Sequence, residues 1–320
     1  MALVAGIDEA GLGPMLGPLV VSGVAFRVPD EALDQCLWSM LSDSCLREVG
    51  RSDHRLVICD SKKLYRGGDG LGNLERAALV MLHVAGHRPS TWREIVGVLS
   101  PQVLLDLEAY PWYAATDFPL PIGKGVGDVG TRANAISRNA RQRSIEFLGA
   151  FSAPLLEGDF NRRIAQTRNK ATTLIGQAVN VLDRLLQCCD DEMVRISVDR
   201  LGGRSHYRDV LQTALPGFEL HILEESPTRS AYQLSKPRRK CLIEFTVGGE
   251  DQHLPVALAS IYSKYMRELF MHLFNSYWSG QMSDLRPTAG YVQDARRWLH
   301  DAAPAIKRLS IKPATLVRSR

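Results

Sequence analysis

Two adjacent carboxylates, Asp8 and Glu9, stand between an apolar run (Leu3-Val4-Ala5) and a Gly11-Leu12-Gly13 turn, after which the apolar run Leu19-Val20-Val21 resumes. The pattern predicts a hairpin of two strands with a pair of acids at its turn end. Acids closing a buried strand are costly without a positive group beside them. Hard divalent cations such as Mg²⁺ select carboxylate oxygens and would meet that need. Neighbours on a regular strand point to opposite faces, so Asp8 and Glu9 can share an ion only where the strand ends, and the glycine turn supplies that ending. Alternatively, Glu9 contributes its backbone carbonyl or acts through a water. Gly11 and Gly13 carry no side chain where the backbone turns, so their N–H groups could approach a phosphate closely.

Further acids close other apolar runs. Asp60-Ser61-Lys62-Lys63-Leu64 follows Leu56-Val57-Ile58-Cys59. Asp199 ends Val194-Arg195-Ile196-Ser197-Val198, and Glu250-Asp251 follows the run from Leu242 to Val247. An α/β enzyme gathers metal ligands at one sheet edge in this way. Lys62 and Lys63 suit phosphate contacts. Ser260, Lys264 and Arg267 fall at i, i+4 and i+7, a polar stripe on an otherwise apolar helix. From there Lys264 could neutralise the acids or reach a phosphate.

Taken in order, these blocks resemble the type 2 ribonucleases H, that is, ribonuclease HII and the catalytic subunit of its eukaryotic counterpart. The resemblance rests on the Asp-Glu-Ala-Gly-x-Gly-Pro opening, the Asp-Ser-Lys-Lys-Leu block and the strand ending in Asp199. It continues with an acid before an Ala-Ser-Ile-x-x-Lys-x-x-Arg helix and with Gly290-Tyr291 ahead of an amphipathic helix bearing Asp294, Trp298 and Leu299. It covers roughly residues 1–65 and 193–302. It implies an α/β ribonuclease H-like fold, a central mixed sheet flanked by helices. It also implies two-metal-ion hydrolysis, with Mg²⁺ or Mn²⁺, of the RNA strand of RNA/DNA hybrids, leaving 3′-hydroxyl and 5′-phosphate ends.

The implied metal ligands and catalytic acids are Asp8, Glu9, Asp199 and one of the pair Glu250/Asp251. Ungapped counting from the Ala-Ser-Ile helix selects Glu250. An Asp-x-x-x-Pro count selects Asp251, whose shorter side chain matches the family type and is preferred. The implied substrate contacts are Gly11, Leu12, Gly13, Ser61, Lys62, Lys63, Lys264 and Tyr291, the tyrosine packing under the junction sugar. Two departures stand out: Leu12 replaces the family's arginine between the glycines, and Val292 replaces the proline after Gly-Tyr. Loss of an always-charged phosphate ligand makes single-ribonucleotide junctions the doubtful substrate and longer hybrids the expected one. The type 3 branch, ribonuclease HIII, also lacks that arginine. The alternative function is a substrate-shifted or non-catalytic nucleic-acid-binding protein with the same fold.

The elements around these blocks set the remaining expectations. The stretch of about 66–150 reads as an insertion in a catalytic domain spanning 1–302. Within it Gly67, Gly68, Gly70 and Gly72 loop into a helix from Glu75 to His87, residues 110–130 are irregular, and a helix with four arginines runs from Arg132 to Phe151. Another helix runs from about Asn169 to Cys189, its apolar side carried by Leu174, Ile175, Ala178, Val181, Leu182 and Leu185. Residues 303–320 hold Lys307, Arg308, Lys312, Arg318 and Arg320 but no acid, a basic tail that either tracks phosphate or is a solvated end.

At 320 residues, 45% hydrophobic and 23% charged, with a net charge of +4, the chain has the balance of a globular protein. That mild charge does not itself argue for nucleic acid. The six cysteines form no Cys-x-x-Cys or zinc spacing. With no signal-peptide pattern and no membrane-length apolar run, a cytoplasmic protein without a membrane or an obligate protein partner is expected.

Overall fold

The computed structural model describes residues 1–48, 54–66, 69–114, 116–188 and 193–319. Gly67, Gly68, Cys189 and Arg320, which figure in the expectations above, lie outside the described residues.

Strand β1 (Ala2–Ala10) and strand β2 (Leu19–Val28) form the expected antiparallel hairpin, in register from Ala2 opposite Val28 to Ala10 opposite Val20. A two-stranded pair, β3 (Cys45–Leu46) and β4 (Leu56–Val57), stands apart. The main sheet adds β5 (Glu146–Leu155), β6 (Met193–Asp199), β7 (Glu219–Glu225), β8 (Arg229–Lys236) and β9 (Arg239–Thr246), in the order β5-β2-β1-β6-β9-β8-β7. β6 runs parallel to both β1 and β9, while the remaining neighbours are antiparallel. The sheet is therefore mixed and flanked by helices, an α/β fold of the expected architecture.

Both faces of the centre are covered. Along β1, Leu3, Ala5 and Ile7 bury into the core under the helix Lys170–Leu186, and Ala2 and Val4 pack into the core under the long helix Leu254–Gln281. Gly6 brings that long helix close: a Cβ there would lie 2.2 Å from the carbonyl carbon of Pro255. Only a residue without a side chain lets the helix start against β1, which fixes Ser260, Ser263 and Arg267 beside the acids and the glycine turn.

The region between the matched blocks departs from expectation in two places: the stretch 110–130, expected to be irregular, holds the short helix Pro111–Ala114 and the start of the helix Val129–Gln142, and that second helix stops early. The arginine-bearing helix ends at Gln142, and residues 146–155 are the edge strand β5. Ser144 at φ +53° breaks the helical course, and beyond it the chain pairs with β2 from Glu146 opposite Arg27 to Leu155 opposite Leu19. The aromatics Tyr110, Trp112 and Tyr113 are buried in the long-helix core, so they lie inside the molecule. The other helices are near their expected places, at Gly70–Val84 and Lys170–Leu186. Asn169 caps the latter by accepting from the N–H groups of Ala171 and Thr172.

Candidate metal centre and nucleic-acid face

Parallel pairing of β1 with β6 ends at Ile7 opposite Val198, so the next residue on each strand is an acid. Asp8, Glu9 and Asp199 each present a ligand atom, and these atoms lie within 4.8 Å of one another. Contrary to expectation, Asp8 and Glu9 converge while β1 still continues, Asp8 opposite Ser22 and Glu9 opposite Val21, with Asp8 Oδ1 accepting from the Glu9 N–H at 2.7 Å. Asp199 Oδ1 accepts from the N–H of Gly249 at 2.9 Å, which ties β6 to the short turn Gly249–Asp251 after β9.

Burial, and after it the crowding of like charge, dominates the electrostatics. Burial first, then Glu9 and Asp199, pushes the Asp8 carboxyl well above its ordinary range. Burial and Asp199 raise Glu9 to about 7, against an opposing effect of Lys62. Glu250 is also raised to about 7, by burial and then by Asp199. One oxygen of Glu9 and one of Glu250, both Oε2, are buried without a hydrogen-bond partner. Buried carboxylates with unpartnered oxygens and a raised affinity for protons fit a hard divalent cation.

The two candidates for a fourth acid differ in surroundings. Glu250 faces Asp199, whereas the carboxylate of Asp251 is 48% exposed and bound by Lys63 Nζ at 2.6 and 2.8 Å. The lysines differ too. Despite desolvation, Asp60, Glu250, Asp8 and Asp199 hold Lys62 above its usual range, so this is the cation beside the acids. Lys264 pairs with Glu268 at 2.7 Å and lies 4.5 Å from the ring centre of Tyr65. Ser61 is buried and shares a hydrogen bond of 2.9 Å with Ser260 of the long helix. Asp60 caps the helix Ser61–Tyr65 through the Lys62 N–H.

Next to the acids, the chain turns at Gly11 with φ +92°, and a Cβ there would strike the Arg267 side chain and the Pro18 carbonyl at 2.7 Å. Gly13 has open space around it, while Leu12 packs partly against the core. The carbonyl of Gly290 accepts from the N–H groups of Met15 at 2.8 Å and Leu16 at 3.2 Å. Gly290 itself has φ +81°, and a side chain there would meet the Leu16 carbonyl. The loop before the helix Val292–Arg308 is thereby fastened to the glycine turn. Tyr291 stands at that junction, 51% exposed, with the Arg267 guanidinium 5.5 Å from its ring centre. Residues about 280 apart in sequence thus form one face, with acids, glycine turn and exposed tyrosine side by side.

Two participants escaped sequence reasoning. Tyr65, 37% exposed, places its hydroxyl 3.4 Å from Glu268, and its packing against Lys264 has only the adjacent lysines as a sequence signal. Arg318, expected in a basic tail that tracks phosphate or is solvated, is instead 2% exposed and reaches the glycine turn. No local spacing announces that contact.

No family model matches the chain, and neither does any curated protein. Among solved structures, a chain of the PCNA:RNase HII complex from Archaeoglobus fulgidus aligns over 99% of this chain and 94% of its own, at 15% identity and a TM-score of 0.41. Bst-RNase HIII in complex with Mn2+ aligns over 99% and 66% respectively, also at 15% and 0.41. The ribonuclease H2 from Pyrococcus horikoshii OT3 aligns over 98% and 92%, at 13% and 0.41. Likeness at this level assigns neither family nor activity. No helix among the described residues is long and apolar enough to cross a membrane.

Proposed function

We propose that the chain is a divalent-metal-dependent endonuclease of the type 2 ribonuclease H kind, which cuts the RNA strand of RNA/DNA hybrids. The observation that carries this reading is the convergence of Asp8, Glu9 and Asp199 within 4.8 Å, beside an open glycine turn and an exposed tyrosine. No structural requirement explains three acids crowded at the end of two central strands.

Asp8, Glu9, Asp199 and Glu250 would hold Mg²⁺ or Mn²⁺. Two such ions supply the charge that makes water nucleophilic and stabilises the leaving oxygen in phosphodiester hydrolysis. The chain's own residues do the rest. Lys62 offsets negative charge at the acids, the N–H groups of the glycine turn hold a phosphate, and Tyr291 packs beneath a sugar. A bare 2′-OH is what separates RNA from DNA at such a site, and the turn's backbone beside the exposed ring is suited to sense it. Asp251, bound by Lys63, is assigned to the rim instead of the metal set.

The test is cleavage of a uniform RNA/DNA hybrid, a single-ribonucleotide duplex and plain duplex DNA, with Mg²⁺, Mn²⁺ or chelator. Metal-dependent cutting of the hybrid and none of plain DNA is expected. Hybrid binding without cleavage under any metal would favour the non-catalytic alternative.

A further inference from the structure

We propose that Arg318, near the C-terminus and outside the segments that carry the family resemblance, is a positioning residue that shapes the glycine turn for phosphate. The inference rests on the function proposed above and adds a residue to that site.

The last described residues form a strap. After the helix Val292–Arg308 and the short helix Pro313–Leu316, the chain crosses the helix Glu157–Thr167. There Asn161 Nδ2 donates to the carbonyls of Ala314 at 2.7 Å and Val317 at 2.8 Å, and Asn161 Oδ1 accepts from the Ser319 N–H at 2.6 Å. The N–H of Arg318 donates to the Met15 carbonyl at 2.8 Å. Its guanidinium lies 4.1 Å from the ring centre of Phe160 and donates to three carbonyls of the turn: Gly11 at 2.5 Å, Leu12 at 2.8 Å and Gly17 at 3.3 Å.

Peptide geometry turns those bonds into a consequence on the opposite side. In a trans peptide the C=O and the following N–H point in opposite directions. Drawing the carbonyls of Gly11 and Leu12 onto the guanidinium therefore aims the N–H groups of Leu12 and Gly13 away from it. Neither N–H makes a hydrogen bond among the described residues. Two successive backbone donors aimed the same way form an anion-binding concavity. The arginine that the family carries between its glycines is leucine here, so the backbone must hold a phosphate without a side-chain charge. Arg318 supplies a guanidinium behind the turn, where it orders the donors without itself touching the ligand. Glu157 completes the brace by accepting from the Gly17 N–H at 3.1 Å and from the Tyr113 hydroxyl at 2.7 Å.

Arg318→Ala, Arg318→Lys and Asn161→Ala test this, read by hydrogen exchange of residues 11–17 and by KM and kcat on a uniform hybrid. Loss of charge-assisted hydrogen bonds should speed exchange across 11–17 by about tenfold, with β1 unchanged, and raise KM by about tenfold. In contrast, kcat should stay within about twofold, because the acids are untouched. Arg318→Lys should recover part of both effects, and Asn161→Ala, which loosens the strap while keeping the guanidinium, should move both the same way by less. A folded Arg318→Ala protein with unchanged exchange in 11–17, or with lowered Tm but unchanged KM, overturns the proposal. Should Arg318→Ala not fold, unchanged exchange and KM in the other two variants overturn it equally. If the wild type cuts no substrate, the functional reading fails, and the exchange data alone still decide whether Arg318 orders the turn.

Discussion

Two clusters of buried charge lie on either side of the glycine turn, and they are built on opposite plans. At the strand ends, Asp8, Glu9, Asp199 and Glu250 crowd like charge together; buried atoms without a hydrogen-bond partner occur in both clusters, Glu9 and Glu250 Oε2 here and Glu157 Oε2, Arg267 Nε and Arg318 Nε behind the turn. Behind the turn, Arg267, Arg318 and Glu157 mix signs, and each donates to or accepts from the backbone: Arg267 to Ala289 at 2.9 Å, Arg318 to Gly11 and Leu12, and Glu157 from Gly17. A buried charge set against one of opposite sign is offset within the chain, while like charges crowded together demand something from outside it. The first cluster is therefore the reactive one and the second its mount.

Substitutions at the acids should break the comparison most sharply. Asp199→Asn or Asp8→Asn removes one ligand from the crowded cluster, and metal-ion stabilisation of transition-state charge is worth several kcal/mol, so hybrid cleavage should fall roughly 10³-fold or more. Melting temperature should hold or rise, because like-charge repulsion is relieved. A variant that keeps wild-type turnover would remove Asp8 or Asp199 from the site. The same substitution logic separates the fourth acid. Glu250→Gln should cost roughly 10²-fold in kcat, and Asp251→Asn, which disturbs only an exposed ion pair with Lys63, about twofold or less. Equal, mild losses from both would place neither at the metal.

How far the sequence revealed these clusters follows the same division. The acids were legible because strand ends are marked by local signals: an apolar run, then Asp8-Glu9 before glycine, or Val198 before Asp199. The hairpin came from the two apolar runs on either side of the glycine turn, while its register is known only from the structure. Spacing prefers Asp251, whereas Glu250 is the ligand proposed, because Lys63 reaches Asp251 across 188 positions and Glu250 lies by Asp199, neither of which spacing reveals. The mount was illegible. Glu157, Arg318 and Tyr113 lie far apart in sequence, and nothing near any of them marks a buried ion among its neighbours. The strand Glu146–Leu155 was hidden by arginine-rich helical periodicity that runs up to it, and pairing with β2 decided its conformation.

Proton linkage gives a smaller and more diagnostic contrast. Glu9, Glu250 and Glu157 are each raised to about 7 from 4.5. Between those values the folded chain holds protons that the unfolded chain has released, so stability falls as pH rises from about 4.5 to 7 and is lowest above that window. Metal-free protein should accordingly melt at a higher temperature at pH 5 than at pH 8. Mg²⁺ should raise the melting temperature at pH 8, where the acids are ionised, and have little effect at pH 5. Glu157→Gln should flatten part of the pH slope and leave the Mg²⁺ response intact, since Glu157 belongs to the mount. Thermal melts across this grid check the sign. Stability that rises with pH in the metal-free protein would contradict the crowding of the acids.

The smallest effect is expected from returning an arginine to the turn. A guanidinium at position 12 could make a charge-assisted hydrogen bond to a phosphate, worth about 1.5–3 kcal/mol when fully formed. The setting reduces that gain: Leu12 packs partly against the core, and its carbonyl is already drawn back onto Arg318. Leu12→Arg would add a third guanidinium near Arg267 and Arg318, so repulsion and solvent screening should leave a gain of about threefold. That gain should appear on the single-ribonucleotide duplex. On a long hybrid, Lys62, Lys63 and Tyr291 can engage the flanking tract, and the added contact matters less. Parallel kcat/KM measurements on the two substrates check the asymmetry. If the wild type cuts both equally well and Leu12→Arg changes neither, the braced backbone already reads a single ribonucleotide, and the leucine is neutral.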